Sequence, residues 1–254
     1  HRRPSSVITV NRIDELRQWS IDLDAAAVRI GSAATYTELM GSEVAALVPA
    51  LAEAARTVGS PQIRNAGTIG GNVGTCSPAG DTLPVLAALG ASVELASLAG
   101  TRTLPFVDFM VGPKRSARRP DEIVTAVIVP IVDGWQGFAK VGTRNAMVIA
   151  VCNAALVVDR PAASVTVAMG SVGPTIVLAP EASAYVQDKI DWDSMRLVGD
   201  ADEVDDVVRE FGARCSAAAR PIDDHRSTAD YRRHAVGVLG ARLLRRAFVG
   251  AAAA

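Results

Sequence analysis

Ile63-Arg64-Asn65-Ala66-Gly67-Thr68-Ile69-Gly70-Gly71-Asn72-Val73-Gly74-Thr75 is the stretch on which the fold of this 254-residue chain turns. It lies inside a longer glycine-rich segment, 60–80, with few large apolar side chains. Glycine frees the backbone to bend and lets a second group approach with no Cβ in the way. Successive N–H groups turned toward one point make a concavity for an anion. Thr68 and Thr75 add hydroxyl donors and Asn72 an amide, a set suited to a pyrophosphate. No Gly-Lys-Ser/Thr follows, so this is not a P-loop, and the glycines lack the G-x-G-x-x-G order of a dinucleotide turn. A second reading stays open on these residues alone: the glycines let this backbone pack closely against a neighbouring element.

Upstream, Pro49 suits the first position of a helix, Leu51, Ala54, Ala55 and Val58 follow helical spacing, and Gly59 stands where the helix should stop. Thr35 and Glu38 form a capping box after a short Val28–Gly31 strand, and Val7–Val10 reads as strand. Downstream, Asp81 can cap a helix running through Leu89 to a stop at Gly90. A sharper reading makes Asp81 an acceptor for ligand hydroxyls; spacing alone favours the cap. Val93 and Leu95 begin a strand, Gly100 sits in a turn, and Ile123–Val129 is a β-branched strand closed by Pro130. Asp133-Gly134 marks a boundary. Beyond it, 147–158 and 164–169 read as strands. Val204, Val207, Val208 and Phe211 predict one amphipathic helix. Tyr231, Ala235, Val238, Leu239 and Leu243 predict another. Arg232, Arg233, Arg242, Arg245 and Arg246 flank that last helix and read as a solvated face.

Composition narrows the function. Lys plus Arg is 26 against 27 Asp plus Glu, with no basic excess for nucleic acid. Apolar runs break well short of the roughly 18 residues a membrane span needs. Cys76, Cys152 and Cys215 have no metal or dithiol spacing and read as free thiols. His1, His225 and His234 fall in no ligand pattern, so no metal site is expected.

The string Gln62 to Asn72, followed by Ser77-Pro78 and by Asp81 before Leu83-Pro84, resembles the FAD-binding medium subunit of the molybdenum hydroxylases, the carbon monoxide dehydrogenase and xanthine dehydrogenase family. The resemblance continues through Glu122-Ile123-Val124, the block Gly137–Arg144, Pro221-Ile222-Asp223-Asp224 and Thr228–Arg233. It implies an α+β chain in two parts. Residues 1–132 would be a PCMH-type, vanillyl-alcohol-oxidase-like FAD-binding domain. Residues 133–250 would be a carbon monoxide dehydrogenase flavoprotein-type C-terminal domain, a small antiparallel sheet plus helices. It further implies cofactor contacts at Ile63, Gly67, Thr68, Ile69, Gly70, Gly71, Asn72, Thr75, Ser77, Asp81, Val124 and Lys140, with no catalytic residue of the chain's own. The pyrophosphate would lie at Thr68–Asn72, the sugar portion at Asp81, and the flavin ring or adenine by Val124. Lys140 would reach over from the second domain.

The implied job is electron relay. A [2Fe-2S] small subunit would deliver electrons taken from substrate by a large subunit carrying molybdopterin cytosine dinucleotide or a related molybdenum cofactor. NAD, quinone or oxygen would receive them. A dimer of heterotrimers in the cytoplasm is expected. Two departures stand out. The family's first glycine-rich loop, Ala-Gly-Gly-Thr-Asp-Leu in type, is absent before His1, so the first domain reads as N-terminally truncated, the loop being processed, disordered or truly absent; true absence would remove half of the pyrophosphate cradle. Where several relatives place an aromatic residue after the lysine, this chain has Asn145-Ala146-Met147. The rival expectation is a flavin-free assembly subunit of the same kind of complex. A stand-alone flavin oxidase is disfavoured by the lack of a base beside the motif.

Overall fold

A computed structural model describes residues 6–249, with Ser42 given by its backbone alone. The His1–Pro4 start and Gly250, the last residue of the expected second domain, lie outside the described residues. Two antiparallel sheets carry the fold. The first comprises β1 (Trp19–Asp22), β2 (Ala27–Gly31), β3 (Ser92–Ser97), β4 (Gly100–Pro105) and β5 (Ile123–Pro130), in the order β1-β2-β5-β3-β4. The β-branched β5 is inserted between strands distant in sequence: Val129 stands opposite Val28, and Val127 opposite Val93. The second sheet is a meander of β6 (Gly134–Val141), β7 (Cys152–Asp159), β8 (Ser164–Gly170) and the short β9 (Val177–Leu178).

Helices α1 (Tyr36–Leu39), α2 (Pro49–Arg56), α3 (Pro61–Ala66), α4 (Ile69–Thr75) and α5 (Thr82–Ala88) lie with the first sheet in one core, α4 against β5 and α2 and α5 against the second sheet, and shorter elements are left unlabelled. Helices α6 (Pro180–Gln187), α7 (Ala201–Ala218) and α8 (Ala229–Phe248) cover the second. Local signals account for many of these boundaries. The Thr35–Glu38 capping box forms as a reciprocal pair, Pro49 opens α2, and Gly90 follows α5 at φ +63°.

Side chains alternate across a strand, so β7 can serve two cores at once. Ala155 and Val157 join the first core, with Leu51, Leu86 and Val127. Ala154, Leu156 and Val158 join the second, with Phe211, Leu239 and Leu243. The second sheet is therefore a shared wall, and Lys140 and Asn153, paired in register, sit on it.

Four expectations are corrected. Val7–Val10 is exposed and not a strand, since nothing pairs with it among the described residues. Residues 147–151 are loop, with Met147 at φ +51°, and β7 starts only at Cys152. The Asp81 side chain makes no cap bond to α5. Arg232 leaves the solvated arginine face and is buried beneath α8, bonded to Asp224 and to the Ser171 carbonyl. All three cysteines are free and buried, and burial pushes the Cys152 and Cys215 thiols up to about 12.

Candidate cofactor site

The glycine-rich motif is a capped helix rather than an irregular bend. Thr68 stands in extended backbone and its Oγ1 accepts from the Gly71 N–H at 3.0 Å, starting α4. Neighbouring N–H groups are engaged too. Ile69 donates to the Ala34 carbonyl at 3.0 Å, Gly70 to Ser32 at 2.8 Å and Asn72 to Thr68 at 3.1 Å. The expectation that these main-chain donors converge on open space is corrected. The 32–34 segment has taken Ile69 and Gly70, and Thr68 holds Gly71 and Asn72, because buried backbone groups rarely go unpaired.

The glycines divide between the two readings the sequence left open. A Cβ on Gly70 would stand 2.4 Å from Ser32 Cβ, and one on Gly67 would stand 2.8 Å from the Tyr36 ring. Those two are glycine because the protein packs there. A Cβ on Gly74 would meet nothing within 4 Å, and one on Gly71 only Thr68 Oγ1 at 3.2 Å. Both are exposed. Each weakens α4 by about 1 kcal/mol relative to alanine; at Gly71 a Cβ would crowd the Thr68 cap hydroxyl, and at Gly74 no protein contact explains the choice. What they leave is a Cβ-free face one helical turn long.

That face adjoins a cleft of about 350 Å³ lined by Ser32, Thr68, Gly70, Gly71, Glu122 and Val124, with Arg118 at its side. Glu122 is buried and bonded to Arg102 at 2.6 Å, and this guanidinium, with the Arg119 N–H, draws its carboxyl down to about 2. A second cleft, about 260 Å³, opens beyond α4. Ile63, Asn72, Gly80, Asp81 and Ile149 line it.

Asp81 is 7% exposed and accepts from three side chains: Lys140 at 2.5 Å, Asn153 at 2.9 Å and Thr57 at 3.1 Å. Burial raises its pKa, and the charge and hydrogen bond of Lys140 pull against that rise. Lys140 also donates to the Thr57 carbonyl and lines a third cleft, which shares Gly59, Met147 and Val148 with the second. Asn153 Oδ1 is buried and has no partner among the described residues.

The structure thus gathers Thr68, Gly70, Gly71 and Val124 at the first cleft and Ile63, Asn72 and Asp81 at the second, with Lys140 between the second and third. Ile69 is fully buried and Gly67 packs on Tyr36, so both act from behind. Thr75 turns its hydroxyl back to the Gly71 carbonyl at 2.6 Å, and Ser77 Oγ accepts from Ala79 N–H at 3.3 Å; neither lines these clefts. Ser32, Thr57, Arg118, Glu122 and Asn153 were not anticipated as site residues. Of these only Glu122 carried a signal, as neighbour of Val124. No group of three or more His, Cys, Asp or Glu among the described residues could hold a metal ion, and no helix there is long and apolar enough to cross a membrane.

Residues 1–132 match the family model for the FAD binding domain in molybdopterin dehydrogenase, and 138–247 match the carbon monoxide dehydrogenase flavoprotein C-terminal domain. The chain is 31% identical over 240 residues to the glyceraldehyde dehydrogenase medium chain of Sulfolobus acidocaldarius, covering 93% of this chain and 80% of that one. It is 28% identical over 251 residues to the carbon monoxide dehydrogenase medium chain of Hydrogenophaga pseudoflava, covering 97% and 83%. The solved structure of reconstituted carbon monoxide dehydrogenase from Oligotropha carboxidovorans superposes with a TM-score of 0.79 at 29% identity, over 93% of this chain and 80% of that one.

Proposed function

Because the chain belongs to the FAD-binding medium subunits of the molybdenum hydroxylases, an oxidoreductase family, we propose that it seats FAD along α4 and relays electrons through it. The single observation that carries the seat is the Cβ-free face of Gly71 and Gly74, where no protein atom requires the Gly74 glycine. The seat fits the group. Its face is open, Thr68 and Val124 line the first cleft beside Gly71, and Asn72 lines the second. In this reading 1–132 is the cofactor-binding unit and 133–250 the covering unit.

Each residue has a role within it. The Gly71 N–H, held only by the Thr68 hydroxyl, is the main-chain donor that a phosphate oxygen can take over. Gly70, Ile69 and Gly67 hold α4 against Ser32, the core and Tyr36, so the open face keeps its position. Thr75 and Ser77 steady the end of α4 and the turn after it. Ile63 and Val124 exclude water from flat ring systems. Asp81 accepts from sugar hydroxyls, and Lys140 fixes its charge and orientation from across the two units. Bound FAD supplies the ability to accept electrons singly and release them as a pair. The chain itself needs no proton-transfer residue, since its task is to bind, orient and tune.

The donors and acceptors would lie outside this chain. They comprise a [2Fe-2S] small subunit, a molybdopterin large subunit in a dimer of heterotrimers, and NAD, quinone or oxygen as terminal acceptor, in the cytoplasm. The test is the visible spectrum of the purified complex, followed by acid release of the cofactor. One FAD per copy of this chain is expected, and a colourless complex that holds its iron and molybdenum would refute the proposal. That outcome belongs to the second reading, a flavin-free assembly subunit. The internally satisfied N–H groups and the closed Asp81–Lys140 pair are what favour it.

A further inference from the structure

We propose that Arg118 grips the diphosphate of FAD and supplies the positive charge that the glycine-rich helix lacks. The inference rests on the flavin seat proposed above and gives it one further binding residue. Among the described residues, the only charged side chains lining the first cleft are Arg118 and Glu122, which share it with Thr68, Gly70 and Gly71. The Glu122 carboxylate is committed to the Arg102 guanidinium, at 2.6 and 2.9 Å. Arg118 forms no ion pair among the described residues, and its side chain bonds only main-chain carbonyls. The cleft is left with one uncompensated cation.

A diphosphate calls for one. Both of its phosphates are ionised at neutral pH, and taking them out of water is costly unless charge or hydrogen bonds replace the lost hydration. Helix α4 offers little of either. It is seven residues long, and the N–H groups of Ile69, Gly70 and Asn72 are already bonded within the protein. That leaves the Gly71 N–H, which the Thr68 hydroxyl holds. Lys140 lines another cleft, with its charge spent on Asp81.

Arg118 is positioned for the task. Its Nη1 donates to the carbonyls of Arg119 and Glu122, at 3.0 and 2.6 Å. Both Nη1 hydrogens are thereby used, and the Nε–H and the Nη2 hydrogens stay free, an edge that can meet two phosphate oxygens at once. The turn that carries Arg118 is itself braced. Arg102, on β4, donates to the Ala117 carbonyl at 3.0 Å, and the Arg119 N–H donates to Glu122 at 2.6 Å. The Arg102–Glu122 pair therefore fixes the turn and leaves its remaining cation to the cleft. Lys114, Arg115 and Arg119 are exposed close by in sequence. Residues 113–122 so carry four cations against two acids, a positive field that draws in an anionic cofactor.

The test uses the whole complex, stripped of flavin and titrated with FAD while flavin fluorescence is followed, alone and against inorganic pyrophosphate. Arg118→Gln should weaken FAD about tenfold, the loss expected for one charge-assisted hydrogen bond. Arg118→Lys keeps the charge and loses the fork, so its affinity should fall between the two. Arg115→Gln removes an exposed cation that does not line the cleft, and FAD should bind it as it binds the unaltered complex. Pyrophosphate should compete with FAD for the unaltered complex and compete less well in Arg118→Gln. The unfolding midpoint should not move in any variant, since both arginines are exposed. Three results overturn the grip: undiminished FAD affinity in Arg118→Gln, an equal loss in Arg115→Gln, which would trace the effect to diffuse surface charge, or equal competition by pyrophosphate with and without Arg118. The first of these keeps the flavin seat and fails only the grip. An unaltered complex that takes up no FAD yet binds pyrophosphate through Arg118 fails the flavin seat and upholds Arg118 as the anion contact of this cleft. One that binds neither probe fails both.

Discussion

Asp81 and Asp224 are both carboxylates drawn into the protein beside a cation, and their environments push them in opposite directions. Asp224 accepts from the Arg226 guanidinium and backbone N–H and from Arg232 Nη2, the last at 2.6 Å. These partners, Arg226 first, hold its carboxyl far below the usual carboxylate range. Asp81 has one cation and two neutral donors, and its burial wins. The partners of Asp224 come from one loop and the helix that follows it, so the cluster is a local clasp. The donors to Asp81 include Lys140 and Asn153, 59 and 72 residues away, so that pair joins the two units. An over-neutralised carboxylate holds a fold together. One that is raised by burial and only singly paired is the kind found at working sites.

The largest expected effect tests the clasp. Asp224→Ala leaves the 2%-exposed Arg232 without that counter-charge, and thermal or denaturant unfolding should report a loss of about 3–5 kcal/mol. Asp81→Asn should cost less, about 1–3 kcal/mol, because Lys140 borders an open cleft and can turn to water. Its larger effect should be on the FAD-to-protein ratio, read by absorbance. Equal stability losses with unchanged flavin would erase the distinction between the two aspartates.

The same contrast between packing and ligand runs through the glycines. Gly70→Ala should lose about 1–3 kcal/mol by forcing Ser32 aside. Gly74→Ala should gain up to about 1 kcal/mol of helix stability while lowering flavin occupancy. A Gly74→Ala protein with full flavin would remove the main support for the seat.

Acid titration gives the smallest and finest comparison, read through carboxyl carbon shifts in NMR. On acidification Asp81 should take up its proton above the ordinary aspartate range, and Asp224 below it. Between the ordinary value and its raised one, Asp81 binds more proton in the folded chain than in the unfolded one. Its share of stability therefore rises as pH falls through that window. The Asp224 share is complete above the ordinary value and is lost as pH falls through its lowered one. The reverse order of protonation would contradict the contrast drawn here.

Much of the architecture was legible because its signals are local. A capping box spans four residues, and Thr35–Glu38 formed as read. Pro49 and Gly90 punctuate helices through their own backbone preferences, and the Val207–Phe211 periodicity returned as the buried face of α7, whereas α2 stops at Arg56 with Thr57 as its cap, short of the expected stop at Gly59. The misreadings came where local preference lost to partners elsewhere. Val7–Val10 has strand-forming residues but, among the described residues, no strand to pair with. Asp81 has the spacing of a cap, yet Lys140 and Asn153 outbid the helix N–H groups for its oxygens.

By itself the sequence determined several helix and strand positions, the two-part α+β plan and the family, through patterns only a few residues long, but not the two helices α3 and α4 that the glycine-rich stretch folds into. The tertiary structure alone decided which glycines are packed and which face open space, which carboxylate meets which cation, and that β7 feeds two cores. Each of those outcomes depends on strand register and on contacts between segments tens of residues apart. The free energy that settles them comes from burial and pairing that do not exist until the chain has closed on itself.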